Sequence, residues 1–341
     1  MDTRHNSLNF LRLVLAALVI VSHASPIGGF GEPLRFGGIQ LGTLAVGGFF
    51  GISGYLITRS GFSSALLPYL WRRFLRIFPG YWGCLAAVGL GFAAIAGVTR
   101  GGWSLGIGVD YFLSNVTMVF SADLLHGTLA GAPFPATWNG SLWTLRYELC
   151  CYVAVGLALL IPQVRRMRVI LPLAFAAVSA LSVYVQFSGG PLIVRDMALL
   201  VPFFLAGATL YRFSHRIPIT GICASGAAVF LLIVMSFDYG KSLAALPVAY
   251  LCLWLGIALP SVFRRVGARN DVSYGMYLYG FPVQQMLALA GAHHLGLPAF
   301  MVLGILATVP LAVASWILIE RPAMNLKDLP ARVRSKVSVR A

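Results

Sequence analysis

Ten apolar stretches, each about the length of a membrane-spanning helix, follow one another along this sequence. A helix of about 20 apolar residues crosses the hydrocarbon core of a bilayer. Only 10% of the residues are charged, whereas a soluble domain carries about a quarter. We therefore predict an all-α integral membrane protein, a polytopic bundle of about ten transmembrane helices, with spans at residues 8–25, 37–58, 77–99, 140–161, 169–187, 194–213, 218–236, 243–262, 272–292 and 298–319.

These spans form one predicted transmembrane domain, residues 1–322, followed by a basic cytoplasmic tail, residues 323–341. The tail is too short for a further domain, so we expect none after the last span. The longest stretch between spans, residues 100–139, is rich in glycine and aromatic residues. We predict that its part near residues 111–125 is a helix lying on or dipping into the outer face of the membrane.

The net charge of +15 comes from 25 Lys and Arg against 10 Asp and Glu. In a soluble protein this balance would suggest nucleic acid, but here the charges follow the loops. If the N-terminus is cytoplasmic, 20 of the 25 basic residues lie in inner segments. The positive-inside rule therefore predicts that both termini are cytoplasmic and accounts for the charge without a nucleic-acid partner.

A cleaved secretory signal peptide is the alternative for the first stretch, with Arg4 before an apolar run and small residues at Ala24 and Ser25. It would leave nine spans and the same side for every loop. Arg12 and His23 argue against it, because ionisable side chains are costly additions to a disposable apolar segment.

Arg12 and His23 share the first predicted span, eleven residues apart. This spacing is about 16 Å of helix rise and nearly three turns, so both side chains face almost the same side. Ionisable groups inside a membrane indicate function by default. The alternative is that each side chain reaches the nearest membrane interface.

The segment Trp143–Glu148 opens the fourth predicted span. Glu148 then lies about 12 Å deep, where a carboxylate must be protonated, paired or exposed to water. Arg146 is two residues away and points elsewhere on a helix, so each residue needs another partner. A purely structural ion pair is the alternative interpretation of both charges.

Three arginines, Arg72, Arg73 and Arg76, lie in the inner loop between the second and third predicted spans. Clustered guanidinium groups suit phosphate, although a positive-inside loop explains the same residues. In the preceding span, Ser53 lies between glycines that allow close approach of a helix or a ligand, and packing explains those glycines equally well.

Taken together, these segments resemble the membrane-bound acyltransferase-3 family, the O-acyltransferases of bacterial surface polysaccharides and exopolysaccharides. The resemblance covers nearly the whole chain and rests on the order of its segments. One departure is Gly280, where many relatives have His. The segments are Arg12 with His23, FFGISGYLI (Phe49–Ile57), RRFLRIFPGYW (Arg72–Trp82), GSLWTLRYELCCY (Gly140–Tyr152), SYGMYLYGFPV (Ser273–Val283) and IERP (Ile319–Pro322).

The resemblance implies acetyl-CoA, or a related acyl-CoA, as cytoplasmic donor, no metal, and a glycan or lipid-linked sugar as acceptor. It also implies a multi-pass protein of the bacterial inner membrane. Arg73 and Arg76 match the family's Arg-x-x-Arg motif for the CoA phosphates, and Arg12 with His23 matches its essential first-span pair. The expected site residues are His23 and Glu148 for catalysis, Arg12, Arg72, Arg73 and Arg76 for the donor, and Ser53, Tyr55, Trp143 and Arg146 in support.

For the reaction, we expect His23 to act as general base on the acceptor hydroxyl, which attacks the thioester carbonyl. Glu148 would orient His23 or balance its positive charge. A covalent acyl-histidine is the alternative chemistry, and transfer through a separate partner protein is the alternative to direct acylation of the acceptor.

Two other functions are alternatives to acyl transfer. A secondary transporter favours paired inverted halves, which this sequence does not display. A structural membrane protein would leave the intramembrane charges without explanation. The acceptor sugar, the acyl chain and the oligomeric state stay open.

Overall fold

The structure is a computed structural model that describes residues 6–118, 124–237, 240–268 and 270–329. Two predictions fall partly outside these residues. Residues 330–341 of the predicted tail and residues 119–123 of the predicted outer helix lie outside the described residues.

Helices make up nearly all the regular structure of the described residues, and a two-residue antiparallel pairing joins the only two strands among them. Three short 3₁₀ turns and two π-helical turns, Ala87–Phe92 and Trp316–Glu320, complete the elements. The helices and strands are α1 (Leu8–Ile27), β1 (Arg35–Phe36), β2 (Ile39–Gln40), α2 (Leu41–Ser63), α3 (Leu66–Ala86), α4 (Ala93–Arg100), α5 (Leu105–Asn115), α6 (Trp143–Ala158), α7 (Pro162–Arg166), α8 (Ile170–Ser188), α9 (Leu192–Arg212), α10 (Gly221–Met235), α11 (Gly240–Leu243), α12 (Ala245–Ala258), α13 (Ser273–Leu289), α14 (Leu297–Ser315) and α15 (Arg321–Met324).

Each of the ten predicted spans overlaps a helix, which confirms the all-α class. Within the described residues, six helices are long and apolar enough to cross a membrane: α1, α2, Leu66–Arg100, α8, α9 and Leu297–Met324. The other four predicted spans correspond to α6, α10, α12 and α13, which have 14 to 17 residues. Ten membrane crossings with both termini cytoplasmic therefore stay a prediction.

The third span differs from its prediction, because its helix begins at Leu66 instead of residue 77. The arginine segment is thus part of helix α3 and not a loop. Tyr69, Leu75 and Ile77 are buried while the arginines are half-buried. This amphipathic pattern lets the helix begin before the apolar stretch, because the charged side chains need not be buried completely.

The predicted outer helix near residues 111–125 is also displaced. Helix α5 ends at Asn115, and it begins after Ser104, whose hydroxyl accepts a hydrogen bond from the amide of Ile107. This N-cap satisfies an amide that the first turn leaves without a partner. The cap therefore places the helix several residues earlier than hydropathy suggests.

The chain divides into two compact units. Unit 1 comprises residues 1–15, 35–71 and 147–269, and unit 2 comprises residues 16–34, 72–146 and 270–341. Three of the boundaries between the units fall inside α1, α3 and α6, so each of these helices contributes residues to both units.

In unit 1, α2 and α9 pack with their backbones in close contact. A β-carbon on Gly54 would overlap the carbonyl oxygen of Phe204, and one on Gly207 would overlap that of Gly51. Small residues let membrane helices approach in this way. The glycines of the FFGISGYLI segment are therefore packing residues, which was the second of the two interpretations drawn from the sequence.

We expect Gly207→Ala to lower the thermal unfolding temperature of the purified protein, because the added methyl group has no space between α9 and α2. Overpacking of this kind costs about 1–3 kcal/mol. Gly226→Ala in α10 is the matched control, since nothing lies within 4 Å of its β-carbon position. Equal unfolding temperatures for the two variants would contradict the close packing.

In unit 2, the last part of α1 packs with α13 and α14. Ala24 and Ile27 of α1, Phe281 of α13 and Phe300 of α14 form a buried hydrophobic cluster. This cluster supports the end of α1 that carries His23.

Candidate active site

The carboxylate of Glu148 accepts two hydrogen bonds inside unit 1. Ser53 of α2 donates to Oε1 at 2.8 Å, and Tyr152 of α6 donates to the same oxygen at 2.5 Å. Ser53 and Tyr152 are buried, and Glu148 is half-buried. Both distances lie in the ordinary range for an O–H···O hydrogen bond. The two bonds therefore hold the Glu148 side chain in one orientation between α2 and α6.

Tyr152 is a site residue that the sequence reasoning missed. It lies four residues after Glu148, and side chains with this spacing meet on one helix face. The spacing was a usable signal. Ser53 is 95 residues from Glu148, so its bond to the carboxylate depends on tertiary packing.

Two other predicted site residues of unit 1 lie against α2 or within it. The guanidinium carbon of Arg12 lies 5.9 Å from the ring centroid of Phe49, a cation–π distance. Tyr55 is buried, and its ring meets that of Tyr211 edge-on with centroids 5.5 Å apart. Arg12, Tyr55 and the Glu148 network are thus all placed along α2.

His23 belongs to unit 2, where its ring packs edge-on against Phe281 of α13 with centroids 5.1 Å apart. The histidine is half-buried. Within the described part of this unit, His23 makes no hydrogen bond. Its orientation there is set by ring packing against Phe281.

Gln284 of α13 fastens the helix segment that carries His23. The side chain is fully buried, and its Nε2 donates to the carbonyl oxygen of Ile20 at 2.9 Å. At Gly280, one turn earlier, a β-carbon would come within 2.5 Å of Ile20 Cγ1. The departure from the family pattern at Gly280 therefore coincides with close approach of α13 to α1. A buried amide in an apolar run was the signal for Gln284, and the sequence reasoning missed it.

The arginine cluster lies on α3, and its three members are half-buried. A salt bridge of 2.5 Å joins Arg76 to Oδ2 of Asp271, and the guanidinium carbon lies 5.6 Å from the ring centroid of Tyr274. Ser273 donates to the other carboxylate oxygen of Asp271 at 2.5 Å. Asp271 thus neutralises and orients Arg76. This partner is 195 residues away and had no sequence signal.

Trp143 and Arg146 lie in the first turn of α6, in unit 2, where Trp143 is exposed and Arg146 is half-buried. The hydroxyl of Tyr277 on α13 donates to the carbonyl oxygen of Ser141 at 2.6 Å and also contacts the hydroxyl of Thr144. These bonds attach the start of α6 to α13.

The predicted site residues are therefore divided between the units. Arg12, Ser53, Tyr55 and Glu148 are in unit 1, whereas His23, Trp143, Arg146 and the arginine cluster are in unit 2. The structure brings Glu148 together with Ser53, and Arg76 together with Asp271. Among the residues that the structure describes, no three His, Cys, Asp or Glu side chains are grouped as metal ligands.

A family model described as an acyltransferase domain, acyltransferase 3, matches residues 5–317 of this chain. The chain belongs to the acyltransferase-3 family. The match contains all the predicted site residues and parts of both units. The protein is accordingly an enzyme that transfers acyl groups, and the resemblance drawn from the sequence is confirmed.

This chain is similar to three relatives over most of the length of each relative. The chain is similar to an O-acetyl transferase of Shigella phage Sf6, with 29% identity over 93% of this chain and 96% of the relative. It is similar to nodulation protein 10 of Rhizobium leguminosarum bv. viciae, with 27% identity over 94% of each chain. It is also similar to the exopolysaccharide production protein ExoZ of Rhizobium meliloti (strain 1021), with 26% identity over 84% of this chain and 90% of the relative. No solved structure matches the chain.

Proposed function

We propose that this acyltransferase-3 protein transfers an acetyl or other short acyl group from cytoplasmic acyl-CoA to a hydroxyl of a cell-surface or exported glycan. The observation that carries the proposal is the full-length similarity to an O-acetyl transferase, together with a relative named for exopolysaccharide production. The protein would act in the bacterial inner membrane with ten spans and both termini cytoplasmic, since the basic loops favour that orientation.

The donor would bind at Arg72, Arg73 and Arg76, with its phosphates on the inward-facing end of α3. Guanidinium groups bind phosphate oxygens through paired, charge-assisted hydrogen bonds. Asp271 offsets the positive charge of Arg76 and fixes its orientation. Arg12 would assist from α1.

In the reaction, His23 would remove the proton of the acceptor hydroxyl as the hydroxyl oxygen attacks the thioester carbon. The carbon–sulfur bond then breaks, and the thiolate of CoA takes the proton back from the imidazolium. Glu148 would orient His23 or balance the imidazolium charge. Its hydrogen bonds with Ser53 and Tyr152 support a fixed carboxylate, and Tyr55, Trp143 and Arg146 would support the site.

The donor site is tested with purified protein in detergent and radiolabelled acetyl-CoA. We expect Arg73→Ala to weaken acetyl-CoA binding by about tenfold or more, the effect of losing one charge-assisted contact to phosphate. Arg76 is not replaced in this test, because its removal would leave Asp271 without its cation and destabilise the protein.

Arg264→Ala is the matched control for Arg73→Ala, because it removes a basic residue that is exposed and also predicted to be cytoplasmic. It should bind acetyl-CoA like the wild type. Wild-type protein that neither binds nor consumes acetyl-CoA or another acyl-CoA would overturn the proposed donor. Equal losses of binding in both variants would show that net charge acts without a defined site.

A further inference from the structure

A cavity of about 250 Å³ lies in unit 1 between α8 and α9. Its polar lining consists of Ser182 and Gln186 on α8 and Arg195 and Asp196 at the start of α9. None of these residues belongs to the proposed donor site or to the proposed catalytic residues. Small-molecule sites are concave and contain a few polar groups with fixed orientations. Here Ser182, Gln186 and Asp196 make hydrogen bonds, and Arg195 is exposed.

Hydrogen bonds orient two of the lining side chains. The hydroxyl of Ser182 donates to that of Ser242 on α11 at 3.1 Å, and Ser242 donates to Oε1 of Gln186 at 3.0 Å. Ser182 and Ser242 are buried. This relay fixes the amide of Gln186 with its oxygen toward Ser242.

Asp196 connects the cavity to helix α6. Tyr147 donates to Oδ2 of Asp196 at 2.8 Å, and Tyr147 is buried. The next residue in the chain is Glu148, the carboxylate held by Ser53 and Tyr152. One hydrogen bond of Asp196 therefore links the cavity lining to the turn of α6 that carries a proposed site residue.

The combination of side chains favours a neutral ligand with many hydroxyl groups. A carboxylate accepts hydrogen bonds from hydroxyls, a guanidinium donates to them, and an amide does both. Arg195 and Asp196 carry opposite charges, so neither an anion nor a cation gains from the net charge of the cavity. A sugar ring presents both donors and acceptors and fits this mixture of charges.

We propose that this cavity binds a sugar residue of the acceptor glycan. The inference rests on the proposed function, because only that function provides a glycan acceptor. The predicted membrane orientation of α9 agrees with an exported acceptor, because Arg195 lies at the predicted outer end of the helix and Arg212 at the predicted inner end.

The test uses membranes of the source strain with this gene deleted, which contain the native acceptor and none of the enzyme. Purified wild type and variants are mixed with radiolabelled acetyl-CoA and increasing amounts of these membranes, and label in the glycan is measured. We expect Asp196→Asn and Gln186→Leu each to need about tenfold more membrane for half-maximal labelling, as expected for a lost hydrogen bond to the acceptor. Binding of acetyl-CoA alone should match the wild type.

Asp110→Asn on α5 is the control, because it makes the same chemical change at an exposed position. Unchanged acceptor dependence in both cavity variants would overturn the inference. So would equal losses of acetyl-CoA binding and glycan labelling in correctly folded protein, because a structural role would then explain the effect. Failure of the wild type to label any glycan is a separate result that overturns the proposed function, and the inference with it.

Discussion

Replacing His23 with alanine is expected to lower the rate of acyl transfer by about 10²- to 10⁴-fold, the usual contribution of a general base. Binding of acetyl-CoA should stay close to the wild-type value, because the proposed donor contacts are the arginines of α3. The imidazole packs edge-on against Phe281, and a buried bond between Gln284 and Ile20 fastens its helix segment. Two quantities are measured for each protein: the rate of labelled glycan formation and the affinity for acetyl-CoA.

His294→Ala is the matched control, since His294 is exposed and lies outside the proposed site. It should transfer acyl groups at the wild-type rate. A His23→Ala protein with near wild-type transfer would contradict the role of His23 as base. Loss of acetyl-CoA binding in parallel with transfer would instead place His23 in the donor site.

The second large effect is expected from Glu148→Gln. Glutamine keeps the shape of the side chain and one oxygen that can accept from Ser53 and Tyr152, but it removes the negative charge. If that charge orients or balances His23, the rate of transfer should fall on the order of 10²-fold, with little change in thermal unfolding temperature.

Two further variants separate the charge of Glu148 from its structural bonds. Glu148→Ala removes the acceptor of two buried hydroxyls, so it should also destabilise the protein, by about 1–3 kcal/mol for each donor left without a partner. Tyr152→Phe removes one donor and keeps the charge, so its transfer rate should exceed that of Glu148→Gln. Wild-type transfer by Glu148→Gln would show that the charge is not used.

The positions of the helices were largely predictable from the sequence. Every predicted span contains a helix, because a long apolar stretch in a membrane must satisfy its backbone hydrogen bonds internally. The ends were less predictable. Helix α3 begins at Leu66 because an amphipathic segment continues the apolar one, and α5 begins where Ser104 caps it. Hydropathy alone detects neither feature.

The proposed site residues could also be recognised in the sequence, because ionisable groups in apolar stretches stand out regardless of how the chain folds. Their partners could not. Asp271 reaches Arg76 across 195 residues, and Ser53 reaches Glu148 across 95. Local spacing carries no information about such pairs. Only Tyr152, on the same helix face as Glu148, lay within reach of a spacing argument.

The helical class, the apolar character and the family of this chain all follow from its sequence. Hydropathy and the order of the motifs can be read along the chain without knowledge of the fold. The tertiary structure decided which of the family's segments pack and which present polar groups. In the segment Phe49–Ile57, the glycines meet α9 while Ser53 meets Glu148. The physical reason is that a helix presents different residues to different neighbours, and the identity of those neighbours is set by packing across the whole chain.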